Sequence, residues 1–143
     1  MSFFTRNDFV HNISEYCKRC GWKLAQIQAN GASLIFTMPS GREQYLYLMP
    51  YQSTIEFSVP SVAAFASLSE VPHGLSTTLL ERNAQQRIGF WCIEDIGGYH
   101  VYSYMHNAEM ELLSVDYFAA IVRDLIQECE QFEQQFIAFV QGV

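Results

Sequence analysis

The stretch Thr54-Ile55-Glu56-Phe57-Ser58-Val59 alternates polar and apolar side chains without interruption. Successive side chains of a β-strand point to opposite faces of its sheet, so Ile55, Phe57 and Val59 share one face. The other face carries threonine, glutamate and serine, which are side chains that water solvates well. The stretch therefore predicts a strand with one face in the core and the other in contact with water.

Three further strands are predicted before this one, and the four form a β-meander. The first turn, Ala29-Asn30-Gly31, contains Asn-Gly, which is a strong signal for a hairpin. The next turn is Pro39-Ser40-Gly41. The three predicted strands are 22–28, 32–38 and 43–49.

The third strand of the meander has two apolar faces. Tyr45 and Tyr47 point to one side of it, and Leu46 and Leu48 point to the other. Only one side of a small sheet can hold the core helices. If the leucines face these helices, the tyrosines lie on the outer side, where ring and hydroxyl suit contact with a partner protein. In the alternative, the tyrosines face the helices and the leucines lie on the outer side.

Helical patterns occur in three places. The first helix follows a Thr5-x-x-Asp8 capping pattern and ends at Gly21, which suits a left-handed cap. A second helix is predicted over about 74–86, and the strands 88–94 and 99–106 follow it as a second hairpin. The segment 61–71 fits a helical turn as well as a lid, so no single structure is predicted for it.

The last helix begins at the N-cap Ser114 and carries a heptad stripe. Its about 26 residues give a length of about 39 Å, which is longer than a small sheet needs as cover. The part beyond Phe132 is expected to extend past the sheet, and self-association through Phe132, Phe136 and Phe139 is predicted there. Packing of the whole stripe on the domain's own sheet is the alternative. The stripe consists of Phe118, Val122, Leu125, Cys129, Phe132, Phe136 and Phe139.

Size and composition exclude several classes of protein. A length of 143 residues predicts one domain over 1–143, and 50% hydrophobic with 16% charged residues predicts a folded chain. No apolar run reaches the about 20 residues of a membrane span, and no export signal is recognisable, so a cytoplasmic location without membrane contact is predicted. The net charge of −7 disfavours nucleic acid as a partner.

Four cysteines occur, and Cys17 and Cys20 have the spacing of a redox pair. Redox pairs lie at a helix N-terminus, where the dipole stabilises the thiolate, whereas this pair lies at a helix C-terminus. Cys92 and Cys129 lack the paired spacing of a structural zinc site. The cysteines are therefore predicted to be reduced and to pack in the core.

No catalytic signature is present. No serine lies in a G-x-S-x-G context and no glycine loop has phosphate-binding spacing, so neither an enzyme nor a cofactor site is predicted. The alternative is a metal-binding or enzymatic sensor built from His106, Glu109 and Cys92, which are side chains that can bind metal or transfer protons. A lone histidine followed by carboxylates is more often a solvated loop.

Tyr102 and Tyr104 share one face of the last strand with His100 and His106. Such a row can be a stacking platform for bases, but the acidity of the chain argues against one. A helix packed over the tyrosines, or an aromatic protein interface, explains them better. Tyr45, Tyr47, Tyr102 and Tyr104 are predicted to form a partner-binding surface.

The order of elements resembles the type III secretion chaperone fold, which YbjN-like bacterial proteins share, and the match covers nearly the whole chain. Leu79-Leu80-Glu81-Arg82-Asn83-Ala84 looks like the Leu-Leu-x-x-Asn helix of that family, and Ile88-Gly89-Phe90 and Glu94-Asp95 follow it. The last helix, through Glu128-Cys129-Glu130-Gln131-Phe132, is similar to the family's closing helix. Residues 105–110 resemble a narrower, cyanobacterial branch.

The resemblance implies a fold and a class of function. The implied fold is α+β, an antiparallel sheet of five to six strands with helices in the order α-ββββ-α-ββ-α. Chaperones of this kind are small, acidic, dimeric and without enzymatic activity, and they hold extended segments of client proteins. The resemblance thus implies a non-enzymatic, homodimeric binding module, although one fold serves several roles.

Overall fold

The computed structural model describes residues 6–142. Thr5, half of the predicted capping pattern of the first helix, lies outside this range. The elements are α1 (Arg6–Cys20), β1 (Leu24–Gln28), β2 (Gly31–Thr37), β3 (Glu43–Tyr51), β4 (Thr54–Phe65), α2 (His73–Asn83), β5 (Phe90–Ile96), β6 (Tyr99–Glu109) and α3 (Val115–Val140). Short 3-10 turns occupy Leu68–Glu70 and Met110–Leu112. The predicted α-ββββ-α-ββ-α order is confirmed.

The six strands form one antiparallel sheet in the order β1-β2-β3-β4-β6-β5. The meander β1 to β4 pairs each strand with the next, and the hairpin β5–β6 joins it through β6. The predicted turns hold: β2 begins at Gly31, and Gly97 and Gly98, both with positive φ, lie between β5 and β6. The sheet of six strands is the larger of the two sizes predicted.

One face of the sheet is covered by helices. Leu46 and Leu48 of β3 are fully buried on this covered face, together with Phe57 of β4. Helix α3 supplies the largest part of the cover through Phe118 and Leu125, which are also fully buried. Burial of this much apolar surface is the main stabilising contribution of the fold. Strand β3 therefore directs Leu46 and Leu48 toward the helices and Tyr45 and Tyr47 to the outer side.

The first five residues of the segment 61–71 belong to a strand. β4 continues to Phe65, and its pairing with β6 shifts register between Pro60 and Ala64. Proline lacks an amide hydrogen, so a central strand tolerates it only beside such an irregularity. The shift frees two backbone amides: that of Val62 donates to Glu133 (2.7 Å), and that of Ala63 donates to the hydroxyl of Ser61 (3.1 Å). No sequence signal fixed this continuation, because residues 62, 65 and 68 are also spaced like a helical turn.

Helices α1 and α3 end and begin where their caps predict. α1 stops at Cys20, and Gly21 follows with a φ of 75°. The hydroxyl of Ser114 accepts a hydrogen bond from the amide of Tyr117 at 3.1 Å, which is an N-cap. Within residues 6–142, no helix has the length and apolar character to cross a bilayer.

Candidate functional site

The second face of the sheet is exposed over β2 and β3. We call it the open face and define it by the outward residues of the strands: Ser33, Ile35, Tyr45, Tyr47, Met49, Glu56, Ser58, Pro60, Cys92, Glu94, Ile96, Val101, Ser103 and Met105. Tyr45 is 43% exposed and Tyr47 is 44% exposed. Their neighbours Ile35 and Met49 are similarly exposed. An uncovered aromatic and apolar area of this kind is typical of an interaction surface.

The open face is concave and contains a groove of about 750 Å³. Ser58 and Pro60 of the central strand β4 contribute short side chains to it, whereas Tyr45 and Tyr47 line it from β3 and Ile96 lines it from β5. The hydroxyl of Ser58 donates a hydrogen bond of 2.7 Å to Glu94, although β6 lies between their two strands. This contact across a strand requires the sheet to curve toward the groove.

Two carboxylates give the groove its charge. Glu56 comes from β4 and Glu94 from β5, and neither is fully buried. Burial, followed by the charges of Glu94 and Glu56, raises the pKa of the nearby Cys92 to about 11. The described residues that line the groove include no lysine, arginine or histidine. The groove therefore combines aromatic rings with uncompensated negative charge.

Tyr102 and Tyr104 are predicted to belong to a partner-binding surface, but the structure places both in the core. Tyr104 is opposite Val59 and Trp91 in the sheet, which puts it on the covered face, and it is 0% exposed. Its hydroxyl donates to the carbonyl of Ile88 at 2.7 Å, and burial raises its pKa. Tyr102, at 2% exposed, shares a hydrogen bond with Ser76 of α2. Both tyrosines are core residues that hold α2 and the loop before β5.

The residues of the alternative metal or acid–base site do not meet. His106 is on the covered face opposite Phe57, while Cys92 is on the open face opposite Ser103. Glu109 lies at the end of β6, where it accepts hydrogen bonds from Ser53 (2.8 Å) and Thr54 (2.6 Å). The described part of the chain has no cluster of three or more potential metal ligands.

His106 instead joins three parts of the fold. Its Nδ1 accepts a hydrogen bond of 3.1 Å from the amide of Gly89, so its proton is on Nε2, which contacts the hydroxyl of Tyr117 at 3.2 Å. Burial lowers the pKa of His106 below its usual value of 6.5. Both ring nitrogens of the neutral imidazole are hydrogen-bonded within the chain, so His106 has a structural role.

The four cysteines are buried or partly buried, and the pKa of each thiol is raised. Cys17 and Cys129 lie in the core, and burial raises the pKa of Cys17 to about 12. Burial also raises the pKa of Cys20 and Cys129. All four cysteines are free. Thiols with raised pKa values are poor nucleophiles, which agrees with the packing role predicted from their positions.

Helix α3 carries a buried polar cluster that none of the predictions above includes. Glu130 and Glu133 are buried, and both contact Arg42 and Gln44 at the start of β3. Glu130 also accepts a hydrogen bond of 2.6 Å from Ser40. Hydrogen bonds from Ser40 and Gln44 and the charge of Arg42 outweigh burial and lower the pKa of Glu130. Ile126, Glu130 and Glu133 step by four and three beside the heptad stripe, and this spacing is the signal that was available.

The Leu-Leu-x-x-Asn pattern of α2 has a structural role. The side chain of Asn83 accepts from the amide of Trp91 (2.6 Å) and donates to its carbonyl (3.0 Å), so it pairs with β5 as a strand would. The Trp91 indole donates to Glu128 of α3, which also pairs with Arg82 at 2.8 Å. These contacts join α2, β5 and α3.

The end of α3 changes from core to surface within two turns. Phe132 is 3% exposed, so it packs in the core and is not on the exposed helix end where self-association is predicted. Phe136 is half-buried and stacks on Phe132 with ring centroids 5.7 Å apart. Phe139 is 82% exposed, and Val140 beside it is also exposed. The predicted projection of the helix end thus begins beyond Phe136.

Comparison with known proteins gives a fold and no family. No protein-family model and no curated protein sequence matches the chain. The crystal structure of YbjN from E. coli, which is described as a proposed transcription regulator, is similar with a TM-score of 0.64. The alignment covers 91% of this chain and 92% of that chain at 13% identity, so the likeness shows a YbjN-like fold alone. The likeness to type III secretion chaperones and to a cyanobacterial branch stays a prediction.

Proposed function

We propose that this chain is a non-enzymatic protein-binding module, chaperone-like or adaptor-like, that holds an extended segment of a client protein on its open face in the cytoplasm. The observation that carries the proposal is the exposure of Tyr45 and Tyr47 beside a concave groove of about 750 Å³. Tyrosine provides a large contact area with a hydroxyl group that tolerates water, and it is enriched in protein interfaces.

The shape of the groove favours a polypeptide over a compact ligand. Its lining residues come from all six strands and their turns, from Gln26 in β1 to Ile96 in β5. A site of that width suits a chain that crosses the sheet, with alternate side chains in the groove. The acidic groove and the net charge of −7 argue against the phosphate backbone of a nucleic acid.

The proposal includes a homodimer. Phe139 and Val140 are exposed side by side at the end of α3, and aromatic side chains left in water at a helix end favour association. Phe139 is the anchor of this contact, and Phe136 supports it from the side that faces the core.

Site-specific photo-cross-linking in the native host tests client binding. A photoreactive phenylalanine analogue replaces Tyr47, which adds little volume to an exposed position. The matched control replaces Leu80, which is also an exposed large side chain (64% exposed) but lies on α2. We expect defined adducts with other proteins from position 47 and far weaker ones from position 80.

The second measurement uses Tyr45→Ala with Tyr47→Ala. Because both rings are exposed, the double variant should keep the circular dichroism and the cooperative unfolding of the parent. It should also lose the adducts formed from a photoreactive group at the neighbouring Met49. Equal cross-linking from positions 47 and 80 would refute the proposed surface.

A further inference from the structure

We infer that the client segment held on the open face is cationic as well as apolar, with lysine or arginine side chains that meet Glu56 and Glu94. This inference rests on the proposed function and names the chemistry of its partner. It starts from a difference between two groups of carboxylates in the same molecule.

Three carboxylates of α3 have arginine partners within the chain. Arg42 pairs with Glu130 and Glu133, and Arg82 pairs with Glu128. In the groove, by contrast, Glu94 accepts a hydrogen bond from the neutral hydroxyl of Ser58, and neither Glu94 nor Glu56 has an ion pair with a side chain of residues 8–142. Their charge is therefore directed at whatever enters the groove.

An occupant of the groove removes water from these two carboxylates. Desolvation of an ionised carboxylate is unfavourable unless a cation or several hydrogen-bond donors replace the water. A wholly apolar segment would satisfy Tyr45, Tyr47 and Met49 but would leave both charges unpaired. A lysine or arginine at alternate positions satisfies both kinds of surface, and an arginine can also stack on a tyrosine ring.

The same charges disfavour the other occupants of an exposed sheet face. Two copies of this chain placed face to face would bring four uncompensated carboxylates together, so a second copy is a poor match for the groove. Phosphate groups and acidic segments are repelled for the same reason. A basic, apolar polypeptide is the occupant with complementary charge.

Three synthetic peptides of equal length test the inference. Each alternates tyrosine or valine with one variable residue, which is Lys in the first peptide, Gln in the second and Glu in the third. Fluorescence anisotropy measures their affinity for the full chain at low and at high salt. We expect the Lys peptide to bind about tenfold or more tighter than the Gln peptide at low salt, a preference that shrinks as salt rises, and the Glu peptide to bind weakest.

Variants separate the groove from the acidity of the whole chain. Glu56→Gln with Glu94→Gln should reduce the Lys preference to about twofold, because the Lys peptide loses its ion pairs and the Gln peptide no longer desolvates two carboxylates. A circular dichroism spectrum equal to that of the parent shows that the fold is intact. The control, Glu81→Gln with Asp124→Asn, removes the same number of charges from exposed positions on α2 and α3 and should keep the preference.

Each contrary result has a distinct meaning. Equal binding of the Lys and Gln peptides overturns the inference and leaves the proposed function standing. An unchanged Lys preference in the groove variant overturns it too, because the attraction would then come from net charge alone. If none of the peptides binds and position 47 forms no adducts, the inference and the proposed function fail together.

Discussion

Gly89, in the loop before β5, is restricted in both backbone conformation and space. Its φ is 90°, a region that side chains rarely adopt, and a Cβ there would come within 2.6 Å of the Tyr104 ring and 2.9 Å of Leu125. The Ile88-Gly89-Phe90 pattern in the sequence therefore reflects two constraints, one of backbone conformation and one of space.

Replacement of Gly89 by alanine should lower the free energy of unfolding by about 2 to 4 kcal/mol, because backbone strain adds to overpacking against Tyr104. Gly98→Ala is the matched control, since its φ is 86° but its Cβ would meet no atom within 4 Å. That variant should lose only about 1 kcal/mol. Urea denaturation of both variants measures the difference, and equal losses would contradict the steric argument.

His106 makes stability depend on pH near neutrality. Its pKa in the folded state is lowered by burial, whereas the unfolded chain has the usual value of 6.5. As pH falls through 6.5, the unfolded state binds the proton first, so the free energy of unfolding decreases; above 6.5 this penalty is absent. Protonation of Nδ1 would also displace the amide of Gly89.

Urea denaturation between about pH 7.5 and 5.5 should therefore show a declining midpoint in the parent protein. His106→Gln keeps an acceptor and a donor but does not titrate, so its midpoint should decline less over the same interval. Parallel profiles for the two proteins would show that His106 is not the titrating group.

Helices α2 and α3 are joined to β5 by side chains that take the place of a neighbouring strand. Asn83 pairs with both backbone groups of Trp91, and Glu128 accepts from its indole. Since β5 is an edge strand, these contacts cover part of an edge that would otherwise be open to pairing with another chain.

Asn83→Ala removes both backbone contacts and should lower the free energy of unfolding by about 2 to 3 kcal/mol, because a half-buried amide and carbonyl lose their partners. Asn83→Asp keeps the acceptor for the Trp91 amide and loses the donor, so it should lie between the parent and the alanine variant. Thermal unfolding monitored by tryptophan fluorescence ranks the three. An alanine variant as stable as the parent would argue against this role.

The sequence predicts the helices and strands better than it predicts which side chains lie on the covered face of the sheet. Caps, Asn-Gly and the alternation in 54–59 identify the helices, hairpins and strands, since each signal is local. The placement of Tyr104 depends on which strand lies beside β6, and that pairing joins residues far apart in the chain. A period of two assigns Tyr104 to one of two faces and does not say which one the helices cover.

The sequence predicts one part of the candidate site and not the other. The sequence predicts the site at Tyr45 and Tyr47 because both sides of strand β3 are apolar or aromatic, which is a local property. The role of Glu56 and Glu94 depends on a groove between strands that are not neighbours in sequence, and on the absence of a cation beside them among the described residues. Neither condition has a sequence signature.

For the whole molecule, the exposed end of α3 predicts an oligomer. Light scattering at micromolar concentration should give about twice the monomer mass of 16.4 kDa. Phe139→Ser should shift the mass toward the monomer without a change in circular dichroism, because the side chain is in contact with solvent in the monomer. Leu112→Ser, which alters an equally exposed side chain elsewhere, should leave the mass unchanged. A parent protein of monomer mass would refute the dimer.

The hydrogen bond from Ser40 to Glu130 joins residues 90 positions apart, and Val62 and Glu133 are 71 apart. During synthesis the strands leave the ribosome before the helix that covers them. Until α3 emerges, β3 and β4 expose a continuous apolar surface and a freed backbone amide at the register shift. Closure of such distant contacts is slow, so the nascent chain passes through a period in which chaperones can bind this exposed apolar surface. A protein proposed to hold extended segments of others would thus need the same protection while it is being made.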